Sequence, residues 1–169
     1  LVAATIDKYN LQNVVIDPVM VCKGCDLILV PDAAESIKKL LMPRCDIITP
    51  NTVEAAYLAD MPEVTTVEQI KEAAEKIVAA GAKSVVIKGG ERLSDNSAID
   101  IFYDGKEFTE MAVPKIYPSY NHGAGCTFSA AITAGLANGL SMKEAVLQAK
   151  KFVTAALKHG FAINNLLQP

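Results

Sequence analysis

Short apolar runs alternate with longer amphipathic stretches along the whole chain. Three of these runs, 14–16, 46–49 and 84–88, are rich in β-branched residues. Runs of this length and composition are typical of strands that are buried on both faces of a parallel sheet. Two further apolar segments, 99–103 and 108–113, flank an Asp-Gly pair, which predicts an antiparallel hairpin.

A recurring pair of residues marks the helix starts. A side chain that accepts a hydrogen bond is followed three positions later by Glu or Gln, as in a capping box. The pairs are Asn51 with Glu54, Thr66 with Gln69, and Ser141 with Glu144. Gly81 and Gly139 are expected just past the ends of two helices. Pro31 opens a further helix over 31–42, and residues 1–9 resemble the middle of an amphipathic helix.

The order of these elements after residue 10 is strand, helix, strand, two helices, strand, hairpin and two helices. This order is typical of an α/β protein with a mostly parallel sheet and helices on both faces. In such sheets ligands bind beyond the carboxyl ends of the strands. Asp17, Asn51, Glu54 and Lys88 all follow apolar strands. Their shared position predicts a functional site at this edge of a single domain.

Composition narrows the choice of function. The 169 residues are 51% hydrophobic with a net charge of −3, so the chain is neither disordered nor basic enough for a nucleic-acid partner. Its apolar runs are too short to cross a membrane. Four cysteines do not suggest a secreted disulfide scaffold, which favours reduced thiols in the cytoplasm. Because no helix cap precedes residues 1–9, we expect the chain to be part of a longer protein.

Segment 120–126 combines small residues with the start of a predicted helix. Gly123, Ala124 and Gly125 let the backbone approach a ligand closely. The free N–H groups of the first helical turn and the helix dipole would then bind phosphate or a transferring phosphoryl group. The segment is neither a Walker A loop nor a dinucleotide fingerprint, and a purely structural loop is the alternative.

Two residues near this segment offer reactive chemistry. Cys126 would lie at a helix N-terminus, which stabilises a thiolate, so it is a candidate base or nucleophile; a buried structural cysteine is the alternative. His122 would either polarise this thiol or cap the loop. Lys88, followed by Gly89 and Gly90, would reach nucleotide phosphates across bare backbone, or would be a solvated strand end.

Two other pairs have competing interpretations. Asn51 and Glu54 suit a magnesium or water-bridged site because hard cations prefer carboxylate and amide oxygens, and a helix cap is the alternative. Cys22 and Cys25 form a C-x-x-C pair of the kind found in redox and zinc sites. That pair lies in a predicted loop and no second cysteine pair is present, so neither a redox site nor a zinc site is favoured. Cys45 is expected in the core.

Four ordered motifs resemble the hydroxymethylpyrimidine (phosphate) kinase family of ribokinase-like vitamin kinases. They are Val15-Ile16-Asp17-Pro18-Val19-Met20-Val21, Ile48-Thr49-Pro50-Asn51 with Glu54, Val86-Ile87-Lys88-Gly89-Gly90, and Asn121-His122-Gly123-Ala124-Gly125-Cys126-Thr127. The resemblance is closest to the branch that acts as pyridoxal/pyridoxine kinase in Gram-positive bacteria, through Val21-Cys22-Lys23-Gly24 and segment 120–126.

The resemblance implies a three-layer α/β/α sandwich that uses MgATP to phosphorylate a hydroxymethyl group on a heteroaromatic ring. It implies that Asp17 and Glu54 serve magnesium. It assigns ATP binding to Asn51, Lys88, Gly89, Gly90, Glu91, Arg92, Asp100, Gly125 and Lys150. Catalysis would fall to Cys126, where most ribokinase-like enzymes carry an aspartate base, and to an anion hole at Gly123, Ala124 and Gly125.

Family members have about 100 further residues before the part that resembles this chain, so 1–169 would be the C-terminal part of one kinase domain. Dimers are usual in the family. The nearest alternative is the hydroxymethylpyrimidine kinase of the thiamine pathway, and a non-catalytic phosphate-binding fragment is an alternative of another class. We also hypothesise that Cys22 lies on a flap that closes over substrate, where it would relay a proton or share the aldehyde of pyridoxal; an incidental position on the flap is the alternative.

Overall fold

A computed structural model describes residues 1–21, 28, 30–90, 93, 96–117 and 120–161. The helices and strands follow one another in the order that the sequence predicts. They are α1 (Val2–Tyr9), β1 (Val15–Ile16), α2 (Pro31–Ser36), β2 (Ile47–Ile48), α3 (Thr52–Leu58), α4 (Val67–Ala79), β3 (Val85–Gly90), β4 (Ser97–Tyr103), β5 (Phe108–Pro114), α5 (Ala124–Ala137) and α6 (Met142–Lys158).

The described strands form one sheet in the order β1-β2-β3-β4-β5. The first three strands are parallel, and β4 and β5 add the predicted hairpin in antiparallel orientation. The parallel half therefore presents the carboxyl ends of three neighbouring strands along one edge, where a ligand site is expected.

Helices cover both faces of the sheet. Successive strand residues point to opposite faces, and Ile47 and Ile48 accordingly join different apolar cores. The core around Ile48 includes residues of α2, α3 and α4, whereas the core around Ile47 includes residues of α5 and α6. The molecule is thus a three-layer α/β/α sandwich, as predicted.

All three predicted capping boxes are present. In each box the side chain of the first residue accepts a hydrogen bond from the backbone N–H three positions later. The side chain of that later residue accepts one from the backbone N–H of the first. The prediction of one α-helix over 31–42 is wrong in its second half, which forms a π-helical turn at Ile37–Leu41 and a 3-10 turn at Met42–Arg44. Pro43 explains the change, because its ring excludes the α-helical position of the carbonyl four residues earlier and it has no N–H to donate.

Within the part of the chain that the structure describes, none of the helices has both the length and the apolar character that a membrane span requires.

Candidate functional site

Polar side chains collect at the carboxyl edge of the parallel strands. Asp17 follows β1, Thr49 and Asn51 follow β2, and Lys88 lies in β3. The Lys88 N–H donates to the Pro50 carbonyl at 2.8 Å, and Asn51 forms a parallel bridge with Lys88. Pairing between the neighbouring chain segments therefore continues up to the site and fixes the relative positions of these residues.

Asp17 and Lys88 form an ion pair at this edge. Lys88 Nζ lies 3.2 Å from Asp17 Oδ1, and the two side chains are 17% and 18% exposed, respectively. A Cβ atom on Gly125 would lie only 3.3 Å from Lys88 Nζ. The ammonium group therefore reaches the first turn of α5, and the lack of a side chain at residue 125 makes room for it.

The first turn of α5 presents unpaired backbone donors. Gly123 is the N-cap and adopts φ 79°, a left-handed conformation that favours glycine. The Ala124 N–H donates to the Asn121 carbonyl at 3.1 Å. In the described residues, the N–H groups of Gly125 and Cys126 have no acceptor. Two free donors, the positive end of the helix dipole and a lysine ammonium thus converge, an arrangement that suits an anion. Binding of phosphate at this predicted anion site stays a prediction.

Glu54 is held by backbone donors on both carboxylate oxygens. Oε1 accepts from the Met20 N–H at 2.8 Å and Oε2 accepts from the Asn51 N–H at 2.9 Å. The Asn51 side chain accepts from the Glu54 N–H at 3.0 Å, so the helix-cap interpretation of this pair is confirmed. The side chain is 2% exposed and ties the segment after Asp17 to the start of α3. Its role toward magnesium stays a prediction.

Val19, between these anchored residues, adopts φ 46°. A left-handed conformation is costly for a β-branched side chain. The bond from Met20 to Glu54 and the burial of Met20 hold this turn in place.

Asp100 and Lys150 pair with each other in a buried contact. Lys150 Nζ lies 2.7 Å from Asp100 Oδ2. The other carboxylate oxygen accepts from the Gly90 N–H at 3.3 Å, and Lys150 also donates to the Ala98 carbonyl. This contact anchors the end of β3, where the register with β4 shifts between Lys88 and Gly90. ATP binding by Asp100 and Lys150 stays a prediction.

Three predicted site residues, Cys22, Glu91 and Arg92, lie outside the described residues, as does Cys25. A cavity of about 100 Å³ lies beside the anion site, between its loop and α6. Its lining is mainly apolar and includes Tyr120, His122, Ala124, Thr127, Val153, Ala156 and Leu157. A larger cavity of about 430 Å³ lies beside α3, away from the α5 N-terminus.

The sequence profile of one family, described as phosphomethylpyrimidine kinase, matches residues 1–169. The chain belongs to this family. It is 48% identical over its full length to the pyridoxine kinase of Bacillus subtilis, and it covers 62% of that protein. It is 40% identical over 164 residues to the hydroxymethylpyrimidine/phosphomethylpyrimidine kinase of the same organism, and it covers 60% of that protein.

Comparison of structures agrees with this family assignment. The crystal structure of an ADP complex of Bacillus subtilis pyridoxal kinase superimposes with a TM-score of 0.92 at 48% identity, over 99% of this chain and 63% of that protein. The predicted ribokinase-like fold is therefore confirmed. The chain spans less than two thirds of the length of the relatives it matches.

The two described cysteines of this kinase-family chain differ in environment. Cys126 is the third residue of α5 and is exposed in this chain, which favours the reactive interpretation over that of a buried structural cysteine. Cys45 is fully buried as predicted, and burial raises the pKa of its thiol to about 12.

We expect iodoacetamide to alkylate Cys126 in the folded protein and to leave Cys45 unmodified, because only an accessible thiolate reacts. Peptide mass spectrometry measures the modification at each residue. Repeating the reaction in denaturant is the control, and there Cys45 should react as well. Equal labelling of the two residues in the folded protein would contradict the assignment.

Two residues that sequence reasoning missed are Thr49 and Ser129. Their hydroxyl oxygens lie 2.8 Å apart, and both side chains are buried. The available signals were weak: Thr49 ends an apolar run, and Ser129 lies one helical turn after Gly125. Only the fold brings together residues that are 80 positions apart.

Proposed function

We propose that this chain is the C-terminal, nucleotide-binding part of a single-domain ATP-dependent kinase that phosphorylates the hydroxymethyl group of pyridoxal or pyridoxine. The observation that carries the proposal is the convergence of Lys88 with the free N–H groups of Gly125 and Cys126. Such an arrangement stabilises the charge that develops on a phosphoryl group in transfer. The higher identity to the pyridoxine kinase than to the hydroxymethylpyrimidine kinase supports the choice of substrate.

In this proposal each residue at the edge has a distinct task. The N–H groups of Gly125 and Cys126 donate to oxygens of the γ-phosphoryl group, Gly123 and Ala124 shape the turn, and the Lys88 ammonium balances phosphate charge. The Cys126 thiolate accepts the proton of the hydroxymethyl group as its oxygen attacks phosphorus and the bond to ADP breaks.

Magnesium fits the chemistry of the same edge. In nucleotide sites Mg²⁺ is bound by one or two carboxylates together with phosphates and water. In this proposal Asp17 and Glu54 would hold it, and Glu54 can do so because each of its oxygens accepts one N–H and retains a second lone pair. The ion would supply positive charge to the β- and γ-phosphates.

The remaining nucleotide contacts are assigned by position. Asn51 precedes α3 at the edge, and Gly89 and Gly90 continue β3 beside it. The pair of Asp100 and Lys150 supports this end of β3 and flanks the nucleotide. Glu91 and Arg92 would extend the phosphate contacts, and Cys22 would close over the substrate.

The proposal extends to the setting of the complete protein. We place it in the cytoplasm, where MgATP is available and thiols such as Cys126 stay reduced. We further propose that it is a homodimer that acts on a small molecule.

The test uses the complete reading frame that contains this chain. We expect its product to phosphorylate pyridoxal and pyridoxine with ATP, and to lose this activity when EDTA removes the divalent cation. Phosphorylation of hydroxymethylpyrimidine alone would assign the protein to the thiamine pathway. ADP binding without turnover of any of the three substrates would leave a non-catalytic phosphate-binding protein, and kcat/KM for each substrate is the measurement.

A further inference from the structure

Two buried hydroxyl groups connect the two halves of the anion site. The Thr49 hydroxyl lies 2.8 Å from that of Ser129 and 3.3 Å from Asp17 Oδ1. The Ser129 hydroxyl lies 3.2 Å from the Gly125 carbonyl. A continuous chain of polar contacts therefore runs from the first turn of α5 to the carboxylate that pairs with Lys88.

The positions of the two hydroxyl protons decide which way the hydrogen bonds run along this series of contacts. Each hydroxyl has one proton to donate, and the Asp17 carboxylate and the Gly125 carbonyl lie at opposite ends as acceptors. If Thr49 donates to Asp17, or to the Ile16 carbonyl 3.5 Å away, Ser129 must donate to Thr49 and not to Gly125. In the reverse orientation Thr49 donates to Ser129, and Ser129 donates to the Gly125 carbonyl. A bond to a charged acceptor is the stronger one, so the orientation toward Asp17 is favoured.

Burial makes these contacts specific. Thr49 and Ser129 are 0% and 6% exposed, so water does not replace a lost partner. Thr49 belongs to the sheet edge and Ser129 to α5. The contact between them therefore sets how far the free N–H groups of α5 lie from the Asp17–Lys88 pair.

We propose that Thr49 and Ser129 are positioning residues, which hold the α5 N-terminus and the Asp17–Lys88 pair at the separation that phosphoryl transfer requires. The inference rests on the kinase function proposed above. Neither residue needs to touch the substrate: Ser129 belongs to α5 itself, and Thr49 contacts Asp17, which pairs with Lys88. A displacement of about 1 Å in such a site can lower the rate about 10²-fold.

The test is Thr49→Val in the complete protein, because valine has nearly the shape of threonine but lacks the hydroxyl. We expect kcat to fall about 10- to 100-fold, with a much smaller change in KM for the vitamin substrate. Ser129→Ala should have a similar effect, and the double variant should be little worse than the poorer single variant, because both break one chain of contacts. Thr49→Ser retains the hydroxyl and should restore most of kcat.

Thr133→Val is the matched control. Thr133 lies one turn further along α5, is exposed, and donates to the Ser129 carbonyl at 3.0 Å, outside the chain of contacts. Its kcat should stay near that of the wild type. A lower melting temperature of Thr49→Val with unchanged kcat would overturn the positioning role while the kinase function stands. A wild-type protein without kinase activity would overturn both.

Discussion

Cys126→Ala should lower kcat of the complete protein about 10²–10⁴-fold with both pyridoxal and pyridoxine, which is the usual contribution of a general base. The expected effect follows from the position of the thiol, which is exposed at the third residue of α5 beside the free N–H groups. An exposed side chain contributes little to packing, so the melting temperature should change little. Steady-state kinetics with each substrate provides the measurement.

Two further substitutions at Cys126 separate a base from a nucleophile. Cys126→Asp introduces the carboxylate that most ribokinase-like enzymes are expected to carry here, and it should recover part of the activity with pyridoxine. Cys126→Ser should recover little, because a hydroxyl remains protonated. Cys45→Ala, at a buried thiol before the amino end of β2, is the control for general thiol loss. Wild-type kcat in Cys126→Ala would remove the thiol from the mechanism.

Local patterns predicted the helix starts and the strand positions well. The capping boxes at Asn51, Thr66 and Ser141 depend on residues only three positions apart, so the sequence contains all of the information. The alternation of Ile47 and Ile48 between two cores follows from strand geometry in the same way. The irregular turns before and at Pro43 show that a helical pattern of apolar residues does not ensure a regular α-helix where a proline interrupts the backbone hydrogen bonds.

Contacts between distant residues could not be predicted in this way. Lys150 pairs with Asp100 across 50 positions, and Thr49 meets Ser129 across 80. Both contacts depend on how α5 and α6 pack on the sheet, which no short pattern specifies. The motifs predicted candidate site residues, but they did not show that Asp17 pairs with Lys88 or that both oxygens of Glu54 accept backbone N–H groups.

The sequence predicts nucleotide binding for both Gly89 and Gly125. Their surroundings differ, so we expect substitution of Gly125 to lower kcat and substitution of Gly89 to lower stability. A Cβ on Gly125 would meet only the end of the Lys88 side chain, at 3.3 Å. Gly125→Val should therefore fold, displace the ammonium from the anion site and lower kcat about 10²–10³-fold. Gly125→Ala should lower kcat less and should not reduce stability, because alanine favours a helix by up to about 1 kcal/mol over glycine.

Gly89→Ala is the contrasting variant. Its Cβ would overlap the Ile99 carbonyl oxygen and the Leu93 side chain, neither of which yields without moving backbone or core. Overpacking of this kind costs about 1–3 kcal/mol or more, so the free energy of unfolding should fall. Denaturant titrations and kinetics on the same samples separate the two effects. If Gly125→Val loses stability but keeps the wild-type kcat per folded molecule, the loop before α5 is only structural. A side chain at residue 125 lowers kcat only if a phosphoryl group must approach the backbone there.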